Sequence, residues 1–216
     1  LRGVHDAYFA AGAQVATANT YSLHRDRLSP HGLEAQVEDL NRAALQTACA
    51  ARDAAGAGAR VAGSLGPLGW SYTVEDPPEN AIDLFEEMCR LQAPFVDLFL
   101  IETAASLAQI RVALTGAFGQ GKPVWLSVSV DDADGTRLRS GEPLDEVMEW
   151  AEGVDALLIN CSIPEAVTAG LEVLRGAEEP IGAYANGFTG IPKSSATAGT
   201  TVAQLDTRTD LSPAAY

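Results

Sequence analysis

Apolar positions along the chain alternate between short continuous runs and longer stretches in which they recur every three or four residues. A nearly unbroken apolar run such as residues 97–101 is typical of a strand buried on both faces of a parallel sheet. A period of three to four residues, as in residues 32–55, indicates an amphipathic helix. The pattern predicts strands over residues 13–18, 60–64, 97–101, 123–129, 154–159 and 180–184, and helices over residues 1–9, 32–55, 78–93, 106–118, 143–151 and 164–174.

The repeated succession of strand and helix predicts an α/β fold whose parallel strands are joined by right-handed helical connections. A closed TIM (β/α)8 barrel has eight strands and about 250 residues, so six strands leave two open edges. Residues 1–9 already follow a helical pattern, and Leu211-Ser212-Pro213 near the other end resembles the start of a further helix. We therefore expect a natural chain that is longer at both ends and closes a barrel. The alternative is an open, doubly wound six-stranded sheet.

The excess of acidic residues limits which classes of molecule the protein is expected to bind. The chain of 216 residues has 14 Lys and Arg against 29 Asp and Glu, a formal net charge of −15. This charge repels phosphate backbones and anionic lipid, so we expect no nucleic acid and no membrane among its partners, and small neutral or zwitterionic substrates fit better. There is no apolar stretch of membrane-spanning length and no leader pattern at the start. The prediction is a single cytoplasmic domain over residues 1–216.

Cys161 and Glu102 are the strongest candidates for chemistry, because both follow a buried apolar run. In α/β proteins the loops after the strands build the active site, so a thiol there is a candidate metal ligand or nucleophile, although many free cysteines only pack. A carboxylate in that place is costly to desolvate unless it binds a cation or moves a proton, or unless a helix N-terminus stabilises it. Cys49 and Cys89 lie in helical patterns and are predicted to pack against the core.

Other polar motifs point to ordinary structural roles. His5, His24 and His31 lie at or beside predicted helices, where surface positions are expected. Residues 131–134 lack the ligand spacing and the final Glu of a calcium loop, so they predict a solvated turn. The sequence has no glycine-rich dinucleotide motif, no phosphate-binding loop and no serine nucleophile motif, which argues against these enzyme classes.

Six segments at or near predicted strand ends share an order with a known family. They are His5-Asp6-Ala7-Tyr8 with Ala11-Gly12-Ala13, Thr17-Ala18-Asn19-Thr20-Tyr21, Val61-Ala62-Gly63-Ser64-Leu65-Gly66-Pro67, Ile101-Glu102-Thr103, Ile159-Asn160-Cys161 and Tyr184-Ala185-Asn186-Gly187. Together they resemble the homocysteine S-methyltransferases, a family of zinc-dependent TIM barrels. The resemblance implies a (β/α)8 barrel whose first and last strands are absent from these residues.

The resemblance also implies a site. In the family, three thiolates hold a zinc ion and the homocysteine sulfur completes its tetrahedron, so that zinc keeps the substrate as a thiolate near neutral pH. Cys161 then supplies the first zinc ligand, and Glu102 resembles the catalytic-site carboxylate that binds the amino group of homocysteine. The substrate-binding mouth would be lined by Asn19, Thr20, Tyr21 and Asn186.

Two family motifs are missing from this sequence. The family opens with a strand that ends in Asp-Gly-Gly, and it closes with a Gly-Gly-Cys-Cys run that supplies the other two zinc ligands. Neither run is present, and Cys49 and Cys89 do not substitute because they lie in helical patterns. The missing ligands would come from a longer chain, which we favour, or from a partner; otherwise the protein is a shortened relative. Without the metal, we expect disorder where the terminal segments lose this tie.

The implied activity is zinc-dependent methyl transfer from a small-molecule donor to the thiolate of homocysteine, which forms methionine. The alternative is a non-catalytic barrel relative that binds a small amino-acid-like ligand. An unrelated aldolase or isomerase barrel would need a lysine near a strand end, whereas Lys122 precedes its strand and Lys193 lies in a late loop.

The methyl donor is less well specified. Betaine enzymes enclose the trimethylammonium group with aromatic rings, and Tyr21, Trp70 and Tyr72 are candidates for this role. Thr103, however, stands where betaine enzymes of this family carry an aromatic residue. S-methylmethionine fits a free-standing acidic protein at least as well, whereas folate or cobalamin donors would require further domains.

Overall fold

The computed structural model describes residues 1–191 and 205–212. All six predicted strands are confirmed, with ends that shift by a few residues. The strand predicted to end at residue 101 continues to Ala104, so Glu102 lies inside it. The strands are β1 (Val15–Thr17), β2 (Arg60–Leu65), β3 (Leu98–Ala104), β4 (Val124–Val128), β5 (Ala156–Asn160) and β6 (Ile181–Tyr184).

The predicted helices are confirmed as well, and most of them are shorter than the pattern suggested. The helix predicted over residues 32–55 begins at Val37, because Gly32 adopts a left-handed φ of 66° and two 3-10 turns, Ser29–His31 and Glu34–Gln36, precede it. The helices are α1 (Arg2–Ala10), α2 (Arg25–Leu28), α3 (Val37–Ala55), α4 (Ala81–Gln92), α5 (Leu107–Ala117), α6 (Glu146–Trp150) and α7 (Pro164–Leu174). The helix expected from Pro213 onward lies outside the described residues.

Hydrogen bonding orders the strands β1-β2-β3-β4-β5-β6, which is their order along the chain. The pairs β1/β2, β2/β3 and β5/β6 are parallel, as the strand-helix repeat predicted. In the last pair Asn160 lies opposite Tyr184. The chain therefore has an α/β fold with a six-stranded sheet, and closure into an eight-stranded barrel stays a prediction.

The chain divides into two compact units. The first comprises Leu1–Gly69, Pro77–Ile101 and Val112–Trp125, and the second comprises Trp70–Asp76, Glu102–Arg111 and the chain from Leu126 onward. The core of the first unit contains the fully buried side chains Leu45, Leu65, Met88, Leu98, Phe99 and Ile101. The core of the second contains Ile110, Leu126, Leu138, Leu144, Leu157 and Ile159. The expectation of a single domain over residues 1–216 stays a prediction.

Among the residues that the structure describes, no helix is both long enough and apolar enough to cross a bilayer.

His24 is buried rather than at the surface, which corrects the sequence-based expectation. Its side chain is fully enclosed in the first unit, and its ring meets Phe85 edge-on with the centroids 5.2 Å apart. Burial, followed by the positive charge of Arg27, lowers the pKa of His24 from 6.5 to about 3. An imidazolium cannot be solvated in such surroundings, so the folded protein holds His24 neutral.

Acidification is expected to weaken the fold through His24. Because its folded-state pKa lies below that of the unfolded chain, the unfolded state binds the proton first as the pH falls. The stabilisation is fully present above about pH 6.5 and is lost progressively towards about pH 3, at about 1.4 kcal/mol per pH unit. Urea denaturation should therefore give a free energy of unfolding about 1.6 kcal/mol lower at pH 5 than at pH 6.5 from this group alone.

A matched pair of variants isolates the effect. His24→Gln should lose this part of the pH dependence, whereas His31→Gln, which alters an exposed imidazole, should keep it. If the free energy of unfolding depends on pH equally in both variants, the role assigned to His24 is contradicted.

Candidate active site

Cys161 follows β5 directly, at the position that the apolar run predicted. Its backbone N–H donates to the carbonyl of Tyr184 at 3.2 Å, so the end of β6 fixes the turn that carries the thiol. The backbone φ of Cys161 is 55°, in the left-handed region that side chains rarely adopt. The side chain is partly exposed and thus accessible to a ligand.

Asn160 holds Cys161 in place. The Asn160 side chain is fully buried, and its Oδ1 accepts hydrogen bonds from the Thr103 N–H at 3.0 Å and the Ser127 hydroxyl at 2.8 Å. Its Nδ2 donates to Thr103 Oγ1 at 2.9 Å and to Cys161 Sγ at 3.2 Å. An amide offers two donors and an acceptor oxygen with two lone pairs, and all four are used here. Asn160 therefore ties the ends of β3, β4 and β5 to the thiol.

Strained backbone is concentrated around the same sulfur. Within the described residues, the non-glycine residues with positive φ are Tyr72 (67°), Thr103 (64°) and Cys161 (55°). The side chains of Tyr72 and Thr103 both hydrogen-bond to the Cys161 thiol. Such conformations cost about 1–3 kcal/mol each and persist where the surroundings enforce them, most often at functional sites. The strain marks this thiol as the centre of a candidate active site.

The pKa of Cys161 is raised above its usual value, chiefly by burial. The Thr103 hydroxyl opposes this shift, the negative charge of Glu102 adds to it, and Tyr72 and Asn160 again oppose it. Donors aimed at the sulfur stabilise a thiolate, whereas burial and the nearby carboxylate disfavour it. The thiol is therefore protonated at neutral pH, and binding of a soft cation would reverse that preference.

Glu102 lies inside β3 and is half-buried beside the thiol. The Tyr184 hydroxyl donates a hydrogen bond to Glu102 Oε2. Helix α5 begins at Leu107 and has no acidic residue in its first turn, so the helix-dipole explanation for this carboxylate is wrong. Its negative charge instead acts on Cys161, where it disfavours the thiolate.

Asn186 lies two residues after β6. Its N–H donates to the Ser162 carbonyl at 2.9 Å, and its Oδ1 accepts from the Phe188 N–H at 3.0 Å, which is the turn-forming role open to any loop asparagine. Its Nδ2 is buried and has no hydrogen-bond partner among the residues the structure describes. A buried amide donor without a partner is costly, which makes this Nδ2 an unsatisfied group of the loop after β6.

Asn19, Thr20 and Tyr21 follow β1 in the first unit. Thr20 is fully buried, and its hydroxyl donates to the Ser64 carbonyl at 2.8 Å and accepts from the Ser64 N–H at 3.0 Å. This side chain therefore ties two strand ends together. Asn19 is exposed. A Cβ at Gly66 would lie 2.5 Å from the Tyr21 carbonyl oxygen, so only glycine fits there.

Tyr21, Trp70 and Tyr72 were the candidates for binding a trimethylammonium group. An arginine guanidinium already lies over two of these rings. The Arg27 guanidinium lies 5.1 Å from the ring centroid of Tyr21 in the first unit. In the second unit Arg139 lies 5.1 Å from that of Tyr72. A cationic ligand would meet like charge at both rings. Trp70 is the third ring and is 40% exposed.

A buried ion pair supports the second unit. The side chains of Asp132 and Arg139 are 14% and 6% exposed and lie 3.4 Å apart. Asp132 accepts the N–H groups of Ile163 at 3.0 Å and Ile191 at 2.7 Å, and Arg139 donates to the Ile191 carbonyl at 2.8 Å. We call this pair the Asp132–Arg139 clamp. The solvated turn predicted over residues 131–134 is therefore wrong at Asp131, which is buried, and at Asp132, where backbone amides and a guanidinium replace water.

Glu102 lies beside Cys161 in the second unit, which also contains Asn186, and Asn19, Thr20 and Tyr21 belong to the first unit. Four residues already named from the sequence hold the thiol and the carboxylate, a role that the sequence pattern did not assign to them. These residues are Tyr72, Thr103, Asn160 and Tyr184. Three sequence positions could have indicated this role: the asparagine immediately before Cys161, the threonine immediately after Glu102 and the tyrosine at the end of the last predicted strand.

The described residues provide only part of the ligand set that a zinc ion needs. Cys161 offers a sulfur ligand of the kind that zinc prefers. Among residues 1–191 and 205–212, no group of three His, Cys, Asp or Glu side chains could hold a metal ion. Cys89 is fully buried in α4, where burial raises its pKa to about 12, and Cys49 in α3 hydrogen-bonds to the Phe95 carbonyl, as expected for packing residues. The described residues therefore supply one thiolate and not a complete zinc site.

The fold and the site define a class: an α/β protein with a sulfur-centred site where its strands end. The model of the homocysteine S-methyltransferase family matches residues 1–214. The chain belongs to the homocysteine S-methyltransferase family.

Named relatives agree with this assignment. The chain is 30% identical to the homocysteine S-methyltransferase of Escherichia coli over 199 residues, which cover 82% of this chain and 63% of that protein. It is 28% identical to the methionine synthase of Mycobacterium tuberculosis over 84% of this chain and 18% of that protein. The chain thus spans less than two thirds of the length of both relatives.

Solved structures of the homocysteine methyltransferase MmuM from Escherichia coli are similar as well. The oxidized form gives a TM-score of 0.73 at 30% identity and covers 86% of this chain and 70% of that one. The metallated form gives 0.70 at 29% identity, with 86% and 71% covered.

Proposed function

We propose that this protein transfers a methyl group from a small-molecule donor to the sulfur of homocysteine and so forms methionine. The observation that carries the proposal is the thiol of Cys161, held in a strained turn beside Glu102 by hydrogen bonds from Asn160, Thr103 and Tyr72. Membership of the family and the names of the relatives support the same activity.

Cys161 is proposed as one ligand of a catalytic zinc ion, whose other protein ligands are not among the described residues. Bound zinc lowers the pKa of a coordinated thiol and so keeps it as a reactive thiolate near neutral pH. Asn160 orients the Cys161 sulfur, in the manner of the outer partners that fix metal ligands elsewhere. The Thr103 and Tyr72 hydroxyls stabilise negative charge on that sulfur.

Glu102 is proposed to bind the ammonium group of homocysteine. A half-buried carboxylate beside the thiol can hold a cationic group of the same molecule whose sulfur reacts. The Nδ2 of Asn186, which has no partner among residues 1–191 and 205–212, is proposed as a donor for a substrate oxygen. In the first unit, Thr20 supports the loop that carries Asn19 and Tyr21 through its two hydrogen bonds to Ser64.

S-methylmethionine is proposed as the methyl donor in preference to betaine. An aromatic cage for a trimethylammonium group needs free ring faces, and arginines lie against Tyr21 and Tyr72. Thr103 is buried and engaged with Asn160, at the position where betaine enzymes of this family carry an aromatic residue.

The test is methionine formation by the purified full-length protein with zinc, homocysteine and each donor in turn. We expect methionine with S-methylmethionine at a rate about 10-fold or more above that with betaine. A zinc-replete, folded protein that forms no methionine with any donor would refute the activity. If that protein is still stabilised against heat by homocysteine, the non-catalytic binding role takes its place.

A further inference from the structure

Tyr184 contacts both residues that the sequence singled out for chemistry. Its carbonyl accepts the Cys161 N–H at 3.2 Å, and its hydroxyl donates to Glu102 Oε2. The parallel register that sets Asn160 opposite Tyr184 places the end of β6 beside the thiol-bearing turn. One residue thus links the backbone that carries the sulfur to the carboxylate beside it.

The side chain of Tyr184 is accessible, since it is 40% exposed at the end of its strand. A partly exposed glutamate has several rotamers of similar energy, and binding of a cation must select one of them. A hydrogen bond from a rigid tyrosine to one carboxylate oxygen selects that rotamer in advance and lowers the entropic cost of binding. The strand end fixes where the hydroxyl stands, so the position of the carboxylate follows from the sheet register.

We propose that Tyr184 is a positioning residue that holds Glu102 for the substrate ammonium group and so selects amino-acid thiols over thiols that lack the amino group. The inference rests on the proposed function and extends it to substrate selection. Tyr184 acts through Glu102, and its own hydroxyl need not touch the substrate. Its contribution therefore disappears when either the Glu102 charge or the substrate amine is absent.

The experiment compares wild-type and Tyr184→Phe full-length, zinc-replete protein with two thiols. Homocysteine carries the amino group, whereas 4-mercaptobutyrate has the same carbon chain, thiol and carboxylate without it. For homocysteine we expect Tyr184→Phe to raise KM about 10-fold and to change kcat less than about twofold, since the hydrogen bond acts on binding. For 4-mercaptobutyrate we expect the same KM in both proteins.

Two further variants complete the design. In a Glu102→Gln background, Tyr184→Phe should add little to the increase in KM for homocysteine, because the two residues form one unit. Tyr8→Phe removes the hydroxyl of an exposed tyrosine on α1 and should leave both thiols unaffected. A KM for homocysteine that is unchanged or lower in Tyr184→Phe, or equal losses with both thiols, would overturn the inference.

Failure of the proposed activity gives a different result. If the wild-type protein forms no methionine, calorimetric titration with the two thiols still measures the preference for the amino group. A preference that is lost in Tyr184→Phe then supports the role of Tyr184 in a binding protein, and a preference that is retained or absent overturns it.

Discussion

Replacement of Cys161 by serine is expected to reduce methyl transfer to homocysteine by at least about 100-fold and to abolish tight zinc binding. Even changes in the partners that orient a metal ligand cost about 10- to 100-fold, so loss of a ligand itself should cost at least as much. Serine has nearly the same size and keeps a hydrogen-bonding atom for Asn160 Nδ2 to contact. It lacks the soft sulfur that zinc prefers.

The measurements are zinc content of the purified full-length protein and methionine formation from homocysteine. Cys49→Ser is the matched control, because Cys49 lies on α3 and its thiol donates to the Phe95 carbonyl, which a hydroxyl can also reach. We expect this variant to keep wild-type zinc content and activity. A Cys161→Ser protein that retains zinc and activity would eliminate the proposed centre.

Replacement of Asp132 by alanine is expected to lower the free energy of unfolding by about 3–5 kcal/mol. Removal of one partner from a buried ion pair leaves the other charge uncompensated, and here it also strands the amides of Ile163 and Ile191. Arg139→Met should cost less, because Asp132 keeps both of those amide donors. The comparison is made by chemical denaturation at constant pH.

The control for the Asp132–Arg139 clamp is an exposed ion pair of the same kind. Glu38 and Arg42 pair on the outer face of α3 with side chains 64% and 51% exposed. Glu38→Ala should leave the unfolding midpoint nearly unchanged, since exposed pairs contribute little. If Asp132→Ala behaves like Glu38→Ala, or if Arg139→Met is the more destabilising change, the clamp does not support the fold in this way.

The order and type of the elements could be predicted because apolar periodicity records how each segment is buried. The nearly unbroken run before Glu102 is buried in β3, and the helical pattern that contains Cys49 forms α3. The ends of the strands and helices were harder to predict, since they depend on hydrogen bonds rather than on periodicity. Glu102 lies inside β3 for this reason, although the apolar run stops one residue earlier.

Burial of isolated polar residues was not predictable from local pattern. His24 was placed at or beside a predicted helix and Asp132 in a predicted turn, and both were expected at the surface. His24 is enclosed against Phe85, 61 positions further along the chain, and Asp132 binds Ile191, 59 positions away. The residues next to His24 and Asp132 in the sequence do not indicate a partner so far along the chain.

The sequence by itself determined the α/β class, the succession of strands and helices, and the placement of Cys161 where a strand ends, because these follow from short-range periodicity. Only the tertiary structure decided how the thiol is held. The register of β5 and β6 set Tyr184 beside Asn160, and the fold brought Tyr72 and Thr103 to Cys161. These contacts join residues up to 89 positions apart, and the strained φ angles at Cys161 and its partners persist because the surrounding hydrogen bonds hold them.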